Sequence, residues 1–139
     1  LRPTERPMMQ QLTPEQYAKA QVEFSETLDA LEIRILSTME QLQFMIHQWN
    51  RVQGFWASQP NFGEKIALVH SELSEALEGN RTAAESDKIP GFRSEEEELA
   101  DALIRILDMA GGFNLALGSA FVSKLRVNLR RPHKHGKAY

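Results

Sequence analysis

Apolar side chains recur at helical intervals along most of this chain. Thr13-Pro14-Glu15-Gln16 opens the first periodic stretch, with Thr as N-cap, Pro at the first helical position and Gln three residues after the cap. No Gly or Pro interrupts the chain again until Gly54. Tyr17, Phe24, Leu31 and Met45 share one heptad position, with polar Thr38 as the exception, and Leu28, Ile35, Leu42 and Trp49 share another. The pattern predicts one long helix, or two in line, with a seam suited to a partner helix. The simplest source of that partner is a second subunit.

Gly54-Phe55-Trp56-Ala57-Ser58-Gln59-Pro60 reads as a loop. Asn61, with Glu64 three residues later, opens a second helix to about Arg81. Residues 82–92 contain Pro90-Gly91 and read as a second loop. Ser94-Glu95-Glu96-Glu97 is a capping-box pattern opening a third helix, which Gly111-Gly112 ends. A last helix is expected from about Leu115 to Arg130, stopped by Pro132. No strand-like alternation persists. The expected fold is all-α: one bundle-like domain of four main helices over residues 13–139, preceded by a flexible lead of residues 1–12 and completed by dimerisation.

Two acidic pairs interrupt the apolar stripes. Glu72-x-x-Glu75 lies beside Ile66, Val69, Leu73, Ala76 and Leu77, and Glu98-x-x-Asp101 lies beside Leu99, Leu103, Ile106 and Ala110. Residues three apart share a helix face, so each pair places two carboxylates together next to positions expected to pack. Carboxylates near a core are costly unless neutralised. Four of them on two adjacent helices suit a hard cation, Mg²⁺ or Mn²⁺. A di-iron bundle would need Glu-x-x-His on two helices, which the chain lacks. His47 and His70 read as packing or surface residues. Arg105 and Asp108 continue the acidic side of the third helix, and Arg105 reads as a surface pairing residue.

Charge adds a second half to this picture. The net charge is only −3, but residues 64–101 hold eleven acids and four bases, whereas residues 124–139 hold six bases and no acid. Lys124, Asn128 and Arg131 are spaced to share one helix face. A cation held by carboxylates, with Lys and Arg nearby, is equipment for phosphoryl transfer to water. No Walker loop, dinucleotide-binding glycine pattern or Gly-x-Ser-x-Gly elbow is present. The chain has no cysteine, so thiolate chemistry and disulfides are excluded, as fits a cytoplasmic protein. The segment LRPTERPMMQQ lacks the apolar core of a signal peptide, and no apolar run reaches the roughly 20 residues of a membrane span.

The segments IHQWNRVQGFW, EKIALVHSELSEALEGNR, EEELADALIRILDMA and KLRVNLRRPHKHGK together resemble the MazG-like all-α nucleoside triphosphate pyrophosphohydrolases. The likeness covers about residues 44–137. It implies Mg²⁺-dependent cleavage of a (d)NTP between its α and β phosphates, giving a (d)NMP and pyrophosphate, in nucleotide-pool house-cleaning. It implies that Glu72, Glu75, Glu98 and Asp101 are metal ligands and that Lys124, Asn128 and Arg131 bind phosphate. Many relatives carry Glu-Glu-x-x-Glu where this chain has Ser71 before Glu72. Glu72 is therefore the expected orienter of the attacking water, with Lys124 stabilising developing charge.

Among the aromatic residues at the start of the matching region, Trp56 in its loop is the expected base-stacking residue. The expected assembly is a homodimer or a dimer of dimers. Nucleic acid is not an expected partner, because the basic tail is short and lacks interleaved aromatics. A different class of function also follows from the heptad seam: a non-catalytic helical dimerisation or interaction module.

Overall fold

The computed structural model describes residues 11–59 and 61–132. Most of the expected lead, and the tail from His133 with Lys134 and Lys137, lie outside those residues. Four helices follow in chain order: α1 Pro14–Val52, α2 Phe62–Thr82, α3 Ser94–Gly112 and α4 Leu117–Leu129. Among the described residues the β pairing is limited to an isolated antiparallel bridge between Glu85 and Arg93. The all-α class is therefore observed. No single described helix is long and apolar enough to cross a membrane.

The expected first helix is one continuous helix of 39 residues. Its start is the reciprocal cap read from the sequence: Gln16 N–H donates to Thr13 Oγ1 at 3.2 Å and Thr13 N–H donates to Gln16 Oε1 at 2.9 Å. α2 is capped by Asn61, whose Oδ1 accepts from Gly63 N–H at 2.8 Å. The start of α3 differs from expectation. Ser94 is already helical, and the reach-back bond joins Arg93 N–H to Glu96 Oε2 at 2.8 Å. The cause is the preceding loop: Ser94 N–H donates to Ala84 O at 2.9 Å, so Ser94 closes the loop rather than capping the helix.

α2 and α3 form an antiparallel hairpin, and α1 runs along the C-terminal part of α3. α4 then folds back beside the N-terminal half of α1. Gly118, near the start of α4, faces Met39, whereas its end meets Tyr17 and Gln21: Gln21 Nε2–H donates to Leu129 O at 2.7 Å and Tyr17 O–H to Arg131 O at 3.2 Å. Arg126 fixes the register by pairing with Asp29 at 2.8 Å and Glu32 at 2.6 Å. Of the heptad residues, Leu28 is buried and Ile35 partly covered, while Phe24, Leu31, Leu42, Met45 and Trp49 stay exposed.

The hairpin corrects one expectation about packing. The stripe turned inward on α2 is Val69, Glu72, Ala76 and Gly79, and on α3 it includes Glu98, Asp101 and Ala102. Leu73, Leu77, Leu99 and Leu103 point outward and are 44%, 51%, 53% and 55% exposed. The carboxylates occupy the seam and the leucines do not. Leu73 and Leu77 follow Glu72 by the same steps as Leu99 and Leu103 follow Glu98, about 100° and 140° around each axis. On an antiparallel pair equal offsets fall on one side of the hairpin. The four leucines thus share one uncovered apolar face, opposite the side toward which Glu75 and Asp101 are rotated.

Candidate metal centre

Glu72, Glu98 and Asp101 converge across the α2–α3 seam, each offering an oxygen within 4.8 Å of the others. This cluster is able to hold a metal ion. Small side chains create the close approach: Ala76 and Ala102 are buried on the same two faces, one turn along from the acids. Glu72 and Glu98 are only 6% and 7% exposed. Glu75 is exposed and lies outside the three-residue cluster, although its charge reaches Glu98. Ser71 faces away from the seam, its hydroxyl donating to Leu68 O at 2.8 Å.

The electrostatics are those of a site short of positive charge. Burial pushes the Glu98 carboxyl above the usual carboxylate range, aided by its hydrogen bond with Glu72 and by the negative charge of Glu75. Glu98 Oε2 is buried and has no hydrogen-bond partner. A buried carboxylate oxygen normally has one. A divalent cation would satisfy both the oxygen and the charge, and an all-oxygen donor set suits Mg²⁺ or Mn²⁺. These observations fit the ligands to the ion.

Two cations border the cluster. Arg105, one turn beyond Asp101, places Nε 2.5 Å from Glu72 Oε1. Lys88, on the α2–α3 loop, places Nζ 2.7 Å from Glu97 Oε1. Glu97 is buried beside Glu98 and also accepts from the Ser86 hydroxyl, while Ser86 Oγ accepts from the backbone N–H groups of Lys88 and Ile89. Lys88 and then Ser86 hold the Glu97 carboxyl below the usual range. This arrangement pins the loop to the first turn of α3.

A second polar cluster lies where α1 meets α3. Asp108 is buried and accepts from the Trp56 indole N–H at 3.0 and 3.1 Å, with His47 Nδ1 at 3.0 Å. The Trp56 ring meets His47 edge-on at 4.7 Å and Phe113 at 5.6 Å, and Lys65 Nζ stands 4.2 Å from a ring centroid. Trp56 therefore has its N–H engaged and a cation over its ring.

The structure does not bring the expected phosphate group to the carboxylates within one chain. Lys124 is exposed on α4, and Asn128 lines a groove with Tyr17, Gln21 and Phe24. Leu129 is tied to Gln21 and Asp108 to His47, and about 39 Å of α1 separates those two attachments at 1.5 Å per residue. A recess of about 480 Å³ between α1 and the start of α4, lined by Leu36, Gln43 and Gly118, is built from neither group.

Lys88, Glu97 and the role of Arg105 were missed from the sequence. Glu97 looked like one more acid of a helix start. Arg105 carried a signal, since it lies four residues after Asp101 and seven after Glu98, on the same helix face. Compared with protein-family models, with curated proteins and with solved structures, the chain matches none.

Proposed function

We propose that this chain is a Mg²⁺-dependent nucleoside triphosphate pyrophosphohydrolase of the MazG-like kind, converting a (d)NTP to a (d)NMP and pyrophosphate. The observation that carries the reading is the convergence of Glu72, Glu98 and Asp101 on one seam, with a buried Glu98 oxygen left without a partner. Glu72, Glu98 and Asp101, with Glu75 alongside, would hold the cation. Bound there, it would supply Lewis acidity and neutralise phosphate charge.

The remaining roles fall to the chain's own side chains. Glu72 orients the attacking water, because Ser71 is turned away. Lys124, Asn128 and Arg131 bind the phosphate chain, and Lys124 offsets charge that develops during cleavage. Since α4 packs chiefly on α1, a second copy supplies these residues to the hairpin. The uncovered leucine face and the exposed Phe24, Leu31 and Leu42 support a homodimer or a dimer of dimers. Trp56 is the aromatic residue for the base, which would have to displace the Lys65 ammonium from its ring to stack there. The test is pyrophosphate release from a panel of (d)NTPs with Mg²⁺, compared between wild type and Glu98→Gln.

A further inference from the structure

The contact between Arg105 and Glu72 is, among the described residues, the ion pair made by the carboxylates of the cluster. Glu72 is buried, and its Oε1 lies 2.5 Å from Arg105 Nε. The Arg105 side chain is 41% exposed, so its outer end reaches solvent while its Nε is committed to the seam. No other ion pair to Glu72, Glu98 or Asp101 occurs among the described residues. The nearest other cation, Lys88, is held by Glu97.

We propose that Arg105 is the resident counter-ion of Glu72 and competes with a divalent cation for the Glu72 carboxylate. The inference rests on the metal-site reading above and adds a residue that the ligand set does not contain. The physical reason is that Glu72 Oε1 cannot donate its electron pairs fully to both partners. A guanidinium a few ångströms from a divalent ion also repels it. Without metal, Arg105 prevents a buried, uncompensated carboxylate pair, whose cost would otherwise fall on folding. With metal, the guanidinium is released from Oε1. Its exposed end then stands beside the cation, where it can take an oxygen of a bound anion. Arg105 is thus a positioning residue that sets how tightly the metal is held.

The experiment is calorimetric titration of Mn²⁺, without nucleotide, into the full chain at pH 8, for wild type and Arg105→Gln. The expected result is that Arg105→Gln binds Mn²⁺ about tenfold more tightly, the weight of one unit charge near a divalent ion in a solvated cleft. Its melting temperature should be below that of wild type without metal, and the gap should narrow at saturating Mn²⁺. Equal or weaker Mn²⁺ binding by folded Arg105→Gln overturns the proposal, because a merely structural pair would give that result.

Should Arg105→Gln fail to fold, the wild type decides the matter by NMR. The Arg105 Nε–H signal should shift and lose its protection from solvent exchange as Mg²⁺ saturates the site. A signal unchanged through saturation overturns the proposal. Wild type that takes up no metal overturns the metal reading itself, which is a separable outcome.

Discussion

Trp56 rests on Gly112 with no room for a side chain between them. A β-carbon built on Gly112 would lie 2.0 Å from the indole ring. Gly111 is also tightly approached, by His47 Cβ at 2.6 Å. These glycines sit in the last turn of α3 and let α1 and its following loop close over Asp108. Gly112→Ala should therefore cost about 1–3 kcal/mol, the usual range for overpacking a tight contact. Urea denaturation should show a lower midpoint at unchanged slope. An unaltered midpoint would mean that the Trp56 loop is not held against α3.

The Glu98 carboxyl is raised by burial, by Glu72 and by Glu75. A raised folded-state value favours the protonated form in the fold. Its stabilising contribution is complete below the ordinary carboxylate range and is lost as pH climbs through the raised value. Without metal, Glu98→Gln should therefore gain stability relative to wild type as pH rises from 4 to 8. Mg²⁺ should reverse the order at pH 8 by stabilising wild type alone. Melting curves with and without Mg²⁺ read both effects, and a Glu98→Gln protein that Mg²⁺ stabilises as much as wild type would contradict the ligand assignment.

The Glu97 carboxyl shifts the other way, because Lys88 and Ser86 favour its charged form. That stabilisation is present above the ordinary carboxylate range and disappears as pH falls through the lowered value. Lys88→Met should lower the melting temperature at pH 7 and flatten its dependence on acid between pH 5 and 3. The same acid slope in variant and wild type would show that the loop anchor contributes nothing.

Leu77 and Leu103 lie on the uncovered side of the hairpin. A charge placed on each face of a self-complementary contact is repeated by symmetry. Leu77→Asp with Leu103→Asp should convert the proposed homodimer or dimer of dimers to monomer at micromolar concentration in size exclusion with light scattering. The helix content by circular dichroism should remain, since neither leucine is in the intrachain core. An oligomer unaffected by both charges would place the interface elsewhere.

Much of the architecture was legible in the sequence because helix signals are local. The Thr13–Gln16 box, the Asn61 cap and the glycine pair after Ala110 each act within one turn. The acidic pairs were legible as a spacing, and three of the four acids meet as that spacing suggests. Which stripe faces inward was not legible. An isolated helix wheel favours burying Leu73 and Leu99, yet the alanines and Gly79 allow the closer approach and the acids go with them. The ion pair of Arg105 with Glu72 spans two helices, and the bonds of Ser86 and Lys88 with Glu97 join a loop to a helix; no periodicity encodes such pairs. The separation of Lys124, Asn128 and Arg131 from the carboxylates depends on where α4 turns back along α1, which the chain settles only through contacts such as Arg126 with Asp29 and Glu32.

The most direct measurement is pyrophosphate release by the purified full chain from each common (d)NTP, with Mg²⁺ and with chelator, alongside Asp101→Asn. The expected result is Mg²⁺-dependent release of pyrophosphate and the matching monophosphate from at least one nucleotide, lowered at least a hundredfold by Asp101→Asn and abolished by chelator. No release from any nucleotide, or release that Asp101→Asn leaves unchanged, would contradict a pyrophosphohydrolase centre on the α2–α3 seam.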